Sequence, residues 1–213
     1  MKSKNAQKFT EYYRKKGITG TYDNQREKTR YRRAKRNIEL NCFLELLDKK
    51  ANEKVLELGC SSGFLTKHLG KVTAIDTSEN MLKIAHEKNP LAKCLLGDMF
   101  DLKFKKDSFD KVVTMRVWNH LDEKDMRKAM RQVHRILKKG GVLVFDVEDD
   151  SFLRRFVGFF YQRTFRTTGY RIYQYSLRKI GRILKEEGFK IERVKYYNHR
   201  VGRQIVLRTG KID

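Results

Sequence analysis

The sequence has little proline, little cysteine and no long apolar run. It contains one proline, Pro90, and three widely separated cysteines, Cys42, Cys60 and Cys94. Isolated cysteines without a CxxC or Cys/His cluster argue against a zinc site and against a disulfide framework. No stretch is long and apolar enough to span a membrane, and no signal-peptide-like apolar segment follows the first lysines. We therefore expect a reduced, cytoplasmic protein without a bound metal or a transmembrane segment.

Acidic residues are outnumbered by basic ones, and the imbalance lies at the two ends of the chain. The 213 residues include 49 basic and 26 acidic side chains, a formal net charge of +23. Residues 1–50 hold 15 basic and 6 acidic residues, residues 151–213 hold 16 and 4, and residues 51–150 hold 18 and 16. Basic flanks attract polyanions such as RNA, or an anionic membrane surface. The alternative is a solvated basic exterior.

Apolar periodicity predicts strands that alternate with helices. Helical spacing covers residues 5–16 and 29–49, and further helices are predicted from Phe64 and over 79–88, 123–138 and about 176–187. The predicted strands lie in "KVLEL", "KVTAI", "AKCLL", "FDKVVTM" and "GGVLVFDV", followed by a closing hairpin in "FKIERVKYY" and "RQIVLR". This alternation predicts a mostly parallel sheet with right-handed crossovers.

The length and composition favour one α/β domain with additions. We expect the domain over residues 51–213, preceded by a basic helical extension, residues 1–50, that acts as a lid. Residues 151–175 interleave aromatic side chains with arginines, which predicts an insertion or a second lid. Such a segment can stack RNA bases, cover an apolar substrate, contact anionic lipid, or simply pack as a helix on the sheet edge.

The turn after the first strand, in "VLELGCSSGF", lacks bulky side chains. Gly59, Ser61 and Gly63 leave room for a ligand to lie against the backbone. A Walker A motif is absent, and the dinucleotide fingerprint requires glycine where Phe64 stands. The turn therefore predicts a nucleoside-like ligand without a phosphate chain, with a plain tight turn as the alternative.

Acidic residues follow the next two strands, and ligands of open α/β sheets bind at such strand ends. Asp76 can accept both hydroxyls of a ribose, because its carboxylate offers two oxygens in one plane. Asp98 can accept an adenine amino group, while the neighbouring Met99 provides an apolar contact for the ring. These positions predict a nucleoside site across the first three strands.

Taken together, "VLELGCSSGF", "VTAIDTSENML", "CLLGDMFDL", "FDKVVTMRVWNHL" and "HRILKKGGVLVFDV" resemble the successive motifs of class I S-adenosylmethionine-dependent methyltransferases. The resemblance is closest to the small-molecule branch, methyltransferase type 11, which includes quinone-biosynthesis enzymes. It covers roughly residues 50–148 and the late helix and strand, but not the first 28 residues or 151–172. It implies a Rossmann-like fold with a seven-stranded, mostly parallel sheet, a reversed final β-hairpin and helices on both faces. It also implies S-adenosyl-L-methionine as the cofactor.

The resemblance also implies which residues bind this cofactor. Glu57, Gly59 and Gly63 of the first motif match the positions that cradle the methionine part of the cofactor. Asp76 matches the acid that binds the ribose, and Asp98 and Met99 match the adenine contacts. Met115 and Arg116, after the fourth strand, match positions that face the methionine end. The family pattern ExGxGxG departs here at Ser61, which is small enough to permit close approach. The predicted set is Glu57, Gly59, Cys60, Ser61, Gly63, Asp76, Thr77, Asp98, Met99, Met115 and Arg116.

His120 in "WNHL" is the predicted catalytic base, because histidine titrates near neutral pH. The alternative is a structural histidine that only shapes the pocket, and the adjacent Trp118 and Asn119 are predicted as pocket wall, with helix entry as the alternative role of Asn119. Methyl transfer itself depends chiefly on alignment in a dry pocket.

Tyr22 and Arg33, or Arg32, precede the first strand and are predicted to fold over the cofactor carboxylate, the arginine by bidentate pairing. The alternative is a solvated basic helix.

We therefore predict a methyltransferase that acts on an oxygen or nitrogen nucleophile of a small-molecule acceptor. An RNA methyltransferase is the first alternative, although no NPP[YF] sequence follows the strand ending at Met115, which argues against the adenine-N6 type. An RNA-binding or regulatory protein on an inactive methyltransferase scaffold is the alternative from another class.

Overall fold

The computed structural model describes residues 3–14, 22–150, 171–199 and 202–212. The helices are α1 (Lys4–Arg14), α2 (Tyr22–Glu27), α3 (Arg30–Leu47), α4 (Glu79–Lys88), α5 (Glu123–Ile136) and α6 (Leu177–Glu186). The strands are β1 (Val55–Leu58), β2 (Thr73–Asp76), β3 (Lys93–Leu96), β4 (Phe109–Thr114), β5 (Leu137–Asp149), β6 (Gln174–Tyr175), β7 (Phe189–His199) and β8 (Gly202–Lys211). None of the helices in these ranges is long and apolar enough to cross a membrane.

All the strands belong to one sheet, in the order β3-β2-β1-β4-β5-β8-β7. The first five strands pair in parallel, while β8 runs antiparallel to both β5 and β7. The predicted Rossmann-like fold with a reversed final hairpin is confirmed. The sheet has eight strands rather than seven, because the two-residue β6 adds a short parallel pairing to the end of β5.

Local signals in the sequence account for most helix ends. Ser78 Oγ caps α4 by accepting a hydrogen bond from the Met81 backbone N–H, and Gly188, with φ of 81°, follows the end of α6. The predicted helix from Phe64 is wrong, since the structure has only a 3-10 turn at Thr66–His68. The left-handed Gly70 and the start of β2 leave too few residues to offset the cost of helix nucleation.

Helix α3 packs into the core, although it lies in the segment predicted as an extension. Its buried residues recur at helical spacing, with Phe43, Leu46 and Leu47 fully buried. They contact the apolar face of the sheet, including Val113 and Val144. The opposite face is covered by α5 and α6. The division at residue 50 stays a prediction, and the predicted lid over 151–175 lies outside the described residues as far as 170.

Candidate functional site

A cleft opens at the carboxyl ends of β1 to β4, where the sheet topology brings together side chains that are far apart in the sequence. Eight of the residues predicted to bind a cofactor line it: Gly59, Ser61, Asp76, Thr77, Asp98, Met99, Met115 and Arg116. Helix α1 forms a further wall through Ala6, Thr10 and Tyr13.

Asp76 is held rigidly at the end of β2. Its Oδ2 accepts a hydrogen bond from the Ser61 backbone N–H at 2.8 Å, and its Oδ1 accepts one from the Ser78 backbone N–H at 2.9 Å. A carboxylate offers two oxygens with two lone pairs each, which suits an acid at this position to hydrogen bonds from ligand hydroxyls. Ser61 has a left-handed φ of 51°, which costs about 1 kcal/mol for a residue with a side chain, and its bond to Asp76 helps to offset that cost.

Asp98 lies beside apolar side chains at the end of β3. Its Oδ1 accepts a hydrogen bond from the Phe100 backbone N–H at 3.0 Å, which fixes the carboxylate at the cleft. Met99 and Phe100 are half-buried and line the cleft next to it. A hydrogen-bond acceptor next to apolar contacts suits a planar base with an exocyclic amino group.

The glycines of the first turn have packing roles as well. Gly59 has φ of 68°, and a Cβ there would lie 2.7 Å from Val117 Cγ2. Gly63 has φ of 78°, and a Cβ there would lie 2.7 Å from Ala85 Cα in α4. Gly63 does not line the cleft, so the structure attributes its lack of a side chain to the close approach of α4.

Two further predicted residues lie behind the turn rather than in the cleft. Glu57 is buried, and its Oε2 accepts a hydrogen bond from Thr66 Oγ1 at 2.7 Å. Burial raises the pKa of this carboxyl to about 8, with a smaller contribution from the nearby Asp76. Cys60 is buried as well, and burial raises the pKa of its thiol. Both residues support the turn from within the core.

Arg116 stands on the cleft floor in a charged cluster that was not foreseen from the sequence. It has a left-handed φ of 61°, and its backbone N–H donates to Asp146 Oδ1 at 2.7 Å. Its guanidinium lies 3.5 to 4.0 Å from carboxylate oxygens of Glu39, Asp146 and Glu148. Burial raises the pKa of Asp146 to about 7, although Arg116 opposes this shift. The acids in the last part of β5, Asp146 and Glu148, were the available signal in the sequence, whereas nothing in the sequence marked Glu39 of α3 as a member of this cluster.

His120 is buried and does not line the cleft. Burial, with smaller effects of Arg116 and Arg26, lowers the pKa of its imidazole to about 3, so the ring is neutral and weakly basic. Trp118 is fully buried, with its ring centroid 4.6 Å from that of Phe145, and is not in the cleft wall. The base role stays a prediction, and this environment supports the structural alternative.

The predicted lid residues are distributed differently from the expectation. Arg33 is exposed, and its Nη1 donates to the Glu27 backbone carbonyl at 2.9 Å. The side chain of Tyr22 lies outside the described residues. Arg36, one helical turn beyond Arg33, is buried with its guanidinium 3.6 Å above the Phe64 ring and 2.8 Å from Glu27 Oε1. Arg36 therefore joins α3 to the turn, and no local signal distinguished it from its neighbours.

Helix α2 is fastened to the same turn by Asp23. Its Oδ1 accepts a hydrogen bond from Ser62 Oγ at 3.0 Å, and its Oδ2 accepts one from Lys88 Nζ at 2.5 Å. Burial acts to raise the pKa of Asp23, but Lys88 holds it below its usual value. This ion pair ties the N-terminal segment, the first turn and α4 together.

Comparisons with known proteins agree with this architecture. Residues 56–145 match the family model described as a methyltransferase domain. The chain is 26% identical over 173 residues to demethylmenaquinone methyltransferase of Thermotoga maritima, covering 70% of this chain and 75% of the relative. It is 34% identical over 94 residues to human mitochondrial arginine-hydroxylase NDUFAF5, covering 42% of this chain and 27% of the relative. It spans about half the length of the first curated relatives that it matches.

Among solved structures, magnesium protoporphyrin IX methyltransferase (ChlM) of Synechocystis PCC 6803 with bound SAH superposes with a TM-score of 0.76. The identity is 18%, and the match covers 95% of this chain and 98% of the other. At this identity the likeness establishes the fold.

Proposed function

We propose that this chain is a class I S-adenosylmethionine-dependent methyltransferase that transfers a methyl group from S-adenosylmethionine to an oxygen or nitrogen atom of a small-molecule acceptor. The observation that carries this proposal is the cleft, which joins the anchored Asp76, the Asp98–Met99 pair and Arg116 at adjacent strand ends.

The donors and acceptors of this cleft fit S-adenosylmethionine. Asp76 would accept the ribose hydroxyls, and Asp98 would accept the amino group of adenine beside Met99. Among the described residues that line the cleft, Arg116 alone is cationic, and carboxylates of Glu39, Asp146 and Glu148 surround its guanidinium, so the cleft is poorly suited to a phosphate chain. The residues therefore match a nucleoside with an amino-acid tail.

The chain contributes to the reaction mainly by alignment and by exclusion of water. The sulfonium of S-adenosylmethionine supplies an electrophilic methyl carbon, so its leaving group requires no acid. Asp76 and Asp98 would hold the nucleoside at one end of the cleft. The wall formed by Ala6, Thr10 and Tyr13 would keep water out of the rest of the cleft. A neutral His120 with a pKa of about 3 is a weak base and does not line the cleft, so we propose a structural role for it.

A small-molecule acceptor is favoured by the coverage of the cleft. Helix α1 walls one side of it, and Asp23 holds α2 against the first turn; a cleft that is walled in this way suits a small acceptor. The name of the Thermotoga maritima relative agrees with this class. The retained cleft acids argue against an inactive scaffold.

RNA is the second candidate, because the first turn of α3 is basic. Arg30, Arg32 and Arg33 are exposed there and no acidic residue accompanies them. Cations at a helix N-terminus oppose the helix dipole, so this arrangement favours a role in binding a polyanion. The same cations could contact an anionic membrane surface.

Transfer of a labelled methyl group from S-adenosylmethionine into a host extract tests the proposal. The extract is separated into RNA and low-molecular-weight fractions after incubation with the wild type, Asp76→Ala or Asp101→Ala. Asp101 is exposed, and its carboxylate pairs with Lys103 at the surface, which makes it the matched control. We expect label in small molecules with the wild type and Asp101→Ala, and little with Asp76→Ala. Label in RNA would contradict the acceptor class, and no transfer would contradict the activity.

A further inference from the structure

Asn5, near the start of α1, uses both its amide nitrogen and its amide oxygen in hydrogen bonds to distant segments. Its Nδ2 donates to the His120 backbone carbonyl at 2.8 Å and to the Arg171 backbone carbonyl at 3.1 Å. Its Oδ1 accepts from the Arg171 backbone N–H at 2.6 Å. One amide side chain thus joins three segments that are far apart in the sequence.

The two partners of Asn5 border the candidate site. His120 is the last residue of the 3-10 turn Trp118–His120, which follows the cleft floor. Arg171 lies just before β6, the short strand that pairs with the end of β5. A second tie lies next to Asn5, where the Ser3 backbone N–H donates to the buried Asp125 Oδ2 at 3.0 Å. The start of α1 is therefore fastened to the main domain by polar contacts.

The residues that follow Asn5 in α1 face the cleft. Ala6 is almost fully buried, and Thr10 and Tyr13 complete the wall at helical spacing. Among the described side chains of α1, Ala6 alone is fully buried, and a methyl group removes little apolar area from water. The hydrogen bonds at its N-terminal end, each worth on the order of 1 kcal/mol, therefore contribute to the position of this wall.

We infer that Asn5 is a positioning residue that fastens α1 over the S-adenosylmethionine cleft through His120 and Arg171, so that release of this junction opens the cleft. The inference rests on the proposed function for the identity of the ligand. It predicts that Asn5 governs retention of the cofactor without touching it.

The variant Asn5→Asp tests this inference. The side chain keeps its size, but it loses both donated hydrogen bonds and brings a negative charge to the carbonyl oxygens of His120 and Arg171. Asn5→Ala removes all three bonds without adding charge, in case the aspartate prevents folding. Gln7→Ala, at an exposed position of the same helix, is the control.

The readouts are the Kd of S-adenosylhomocysteine by calorimetry and the KM and kcat of methyl transfer. We expect Asn5→Asp and Asn5→Ala to raise the Kd at least tenfold and to raise the KM for S-adenosylmethionine while kcat stays within twofold. Gln7→Ala should match the wild type. A purely structural role would instead lower the active fraction, which reduces kcat at an unchanged KM.

Unchanged Kd and KM in both Asn5 variants would overturn the inference while leaving the proposed function intact. A wild type that binds S-adenosylhomocysteine without transferring methyl groups would contradict the activity, and the Kd comparison would still decide the role of Asn5. A wild type that does not bind S-adenosylhomocysteine would overturn both.

Discussion

Replacement of Gly63 by alanine should destabilise the protein even when no ligand is present. A residue with a side chain at φ of 78° costs about 1 kcal/mol in the left-handed region. The new Cβ would also lie 2.7 Å from Ala85 Cα and 2.9 Å from Ala85 Cβ, so α4 must move. Overpacking of this kind typically costs about 1 to 3 kcal/mol, which gives a total loss of about 2 to 4 kcal/mol.

Gly70→Ala separates the two contributions. Gly70 has a similar left-handed φ of 61°, but a Cβ there meets no atom within 4 Å, so its loss should be about 1 kcal/mol. Urea unfolding followed by the fluorescence of the single, buried Trp118 measures both free energies of unfolding. Equal losses of stability in the two variants would refute the packing role of Gly63. Room for the ligand would then be the remaining reason for glycine at this position.

Three other substitutions test the surroundings of the cleft. Glu57→Gln should flatten the pH dependence of stability. The folded pKa of about 8 lies above the unfolded pKa, so the wild type loses stability as the pH rises from the unfolded pKa to the folded one. In urea unfolding the variant should therefore match the wild type near about pH 5 and exceed its stability by a few kcal/mol near about pH 9. Identical pH dependence would contradict a buried, protonated carboxyl. His120→Gln should leave unchanged both the Kd of S-adenosylhomocysteine and the acid limb of the pH profile of kcat, because a pKa of about 3 keeps the wild-type ring neutral. Loss of a limb near neutral pH in the variant would instead support His120 as the catalytic base. Asp23→Ala should cost about 1 kcal/mol, and less at high salt, because it removes the half-buried pair with Lys88; a salt-independent loss would argue against that pair.

Local patterns in the sequence were sufficient for the fold. Short apolar strands alternating with amphipathic helices along much of the chain predicted the parallel sheet. Ser78 and Gly188 marked helix ends because capping depends on the nearest residues. The helix expected from Phe64 failed because apolar periodicity does not reveal how early the next strand begins. The two-residue β6 is too short to have a pattern.

The candidate site was predictable where it depends on strand ends and less so where distant segments meet. Asp76 ends β2 and Asp98 lies two residues beyond the end of β3, so topology alone placed them in the cleft. Docking of the N-terminal helices decides which partners Asn5 has, and it decides that Arg36 rather than Arg33 contacts the first turn. The residues next to these positions in the sequence do not encode that docking. Glu57 was assigned to the cofactor by position, whereas the structure orients its side chain toward Thr66.

Calorimetric titration of the wild type and Asp76→Ala with S-adenosylhomocysteine, and of the wild type with ADP, tests the central claim most directly. Asp76 holds the first turn through Ser61 and faces the expected ribose, so its loss should weaken S-adenosylhomocysteine at least tenfold, while the cleft, with Arg116 as its cation, should not bind ADP. Asp101→Ala should bind as the wild type does. Equal affinity of Asp76→Ala, or tight binding of ADP by the wild type, would contradict the assignment of this cleft to S-adenosylmethionine.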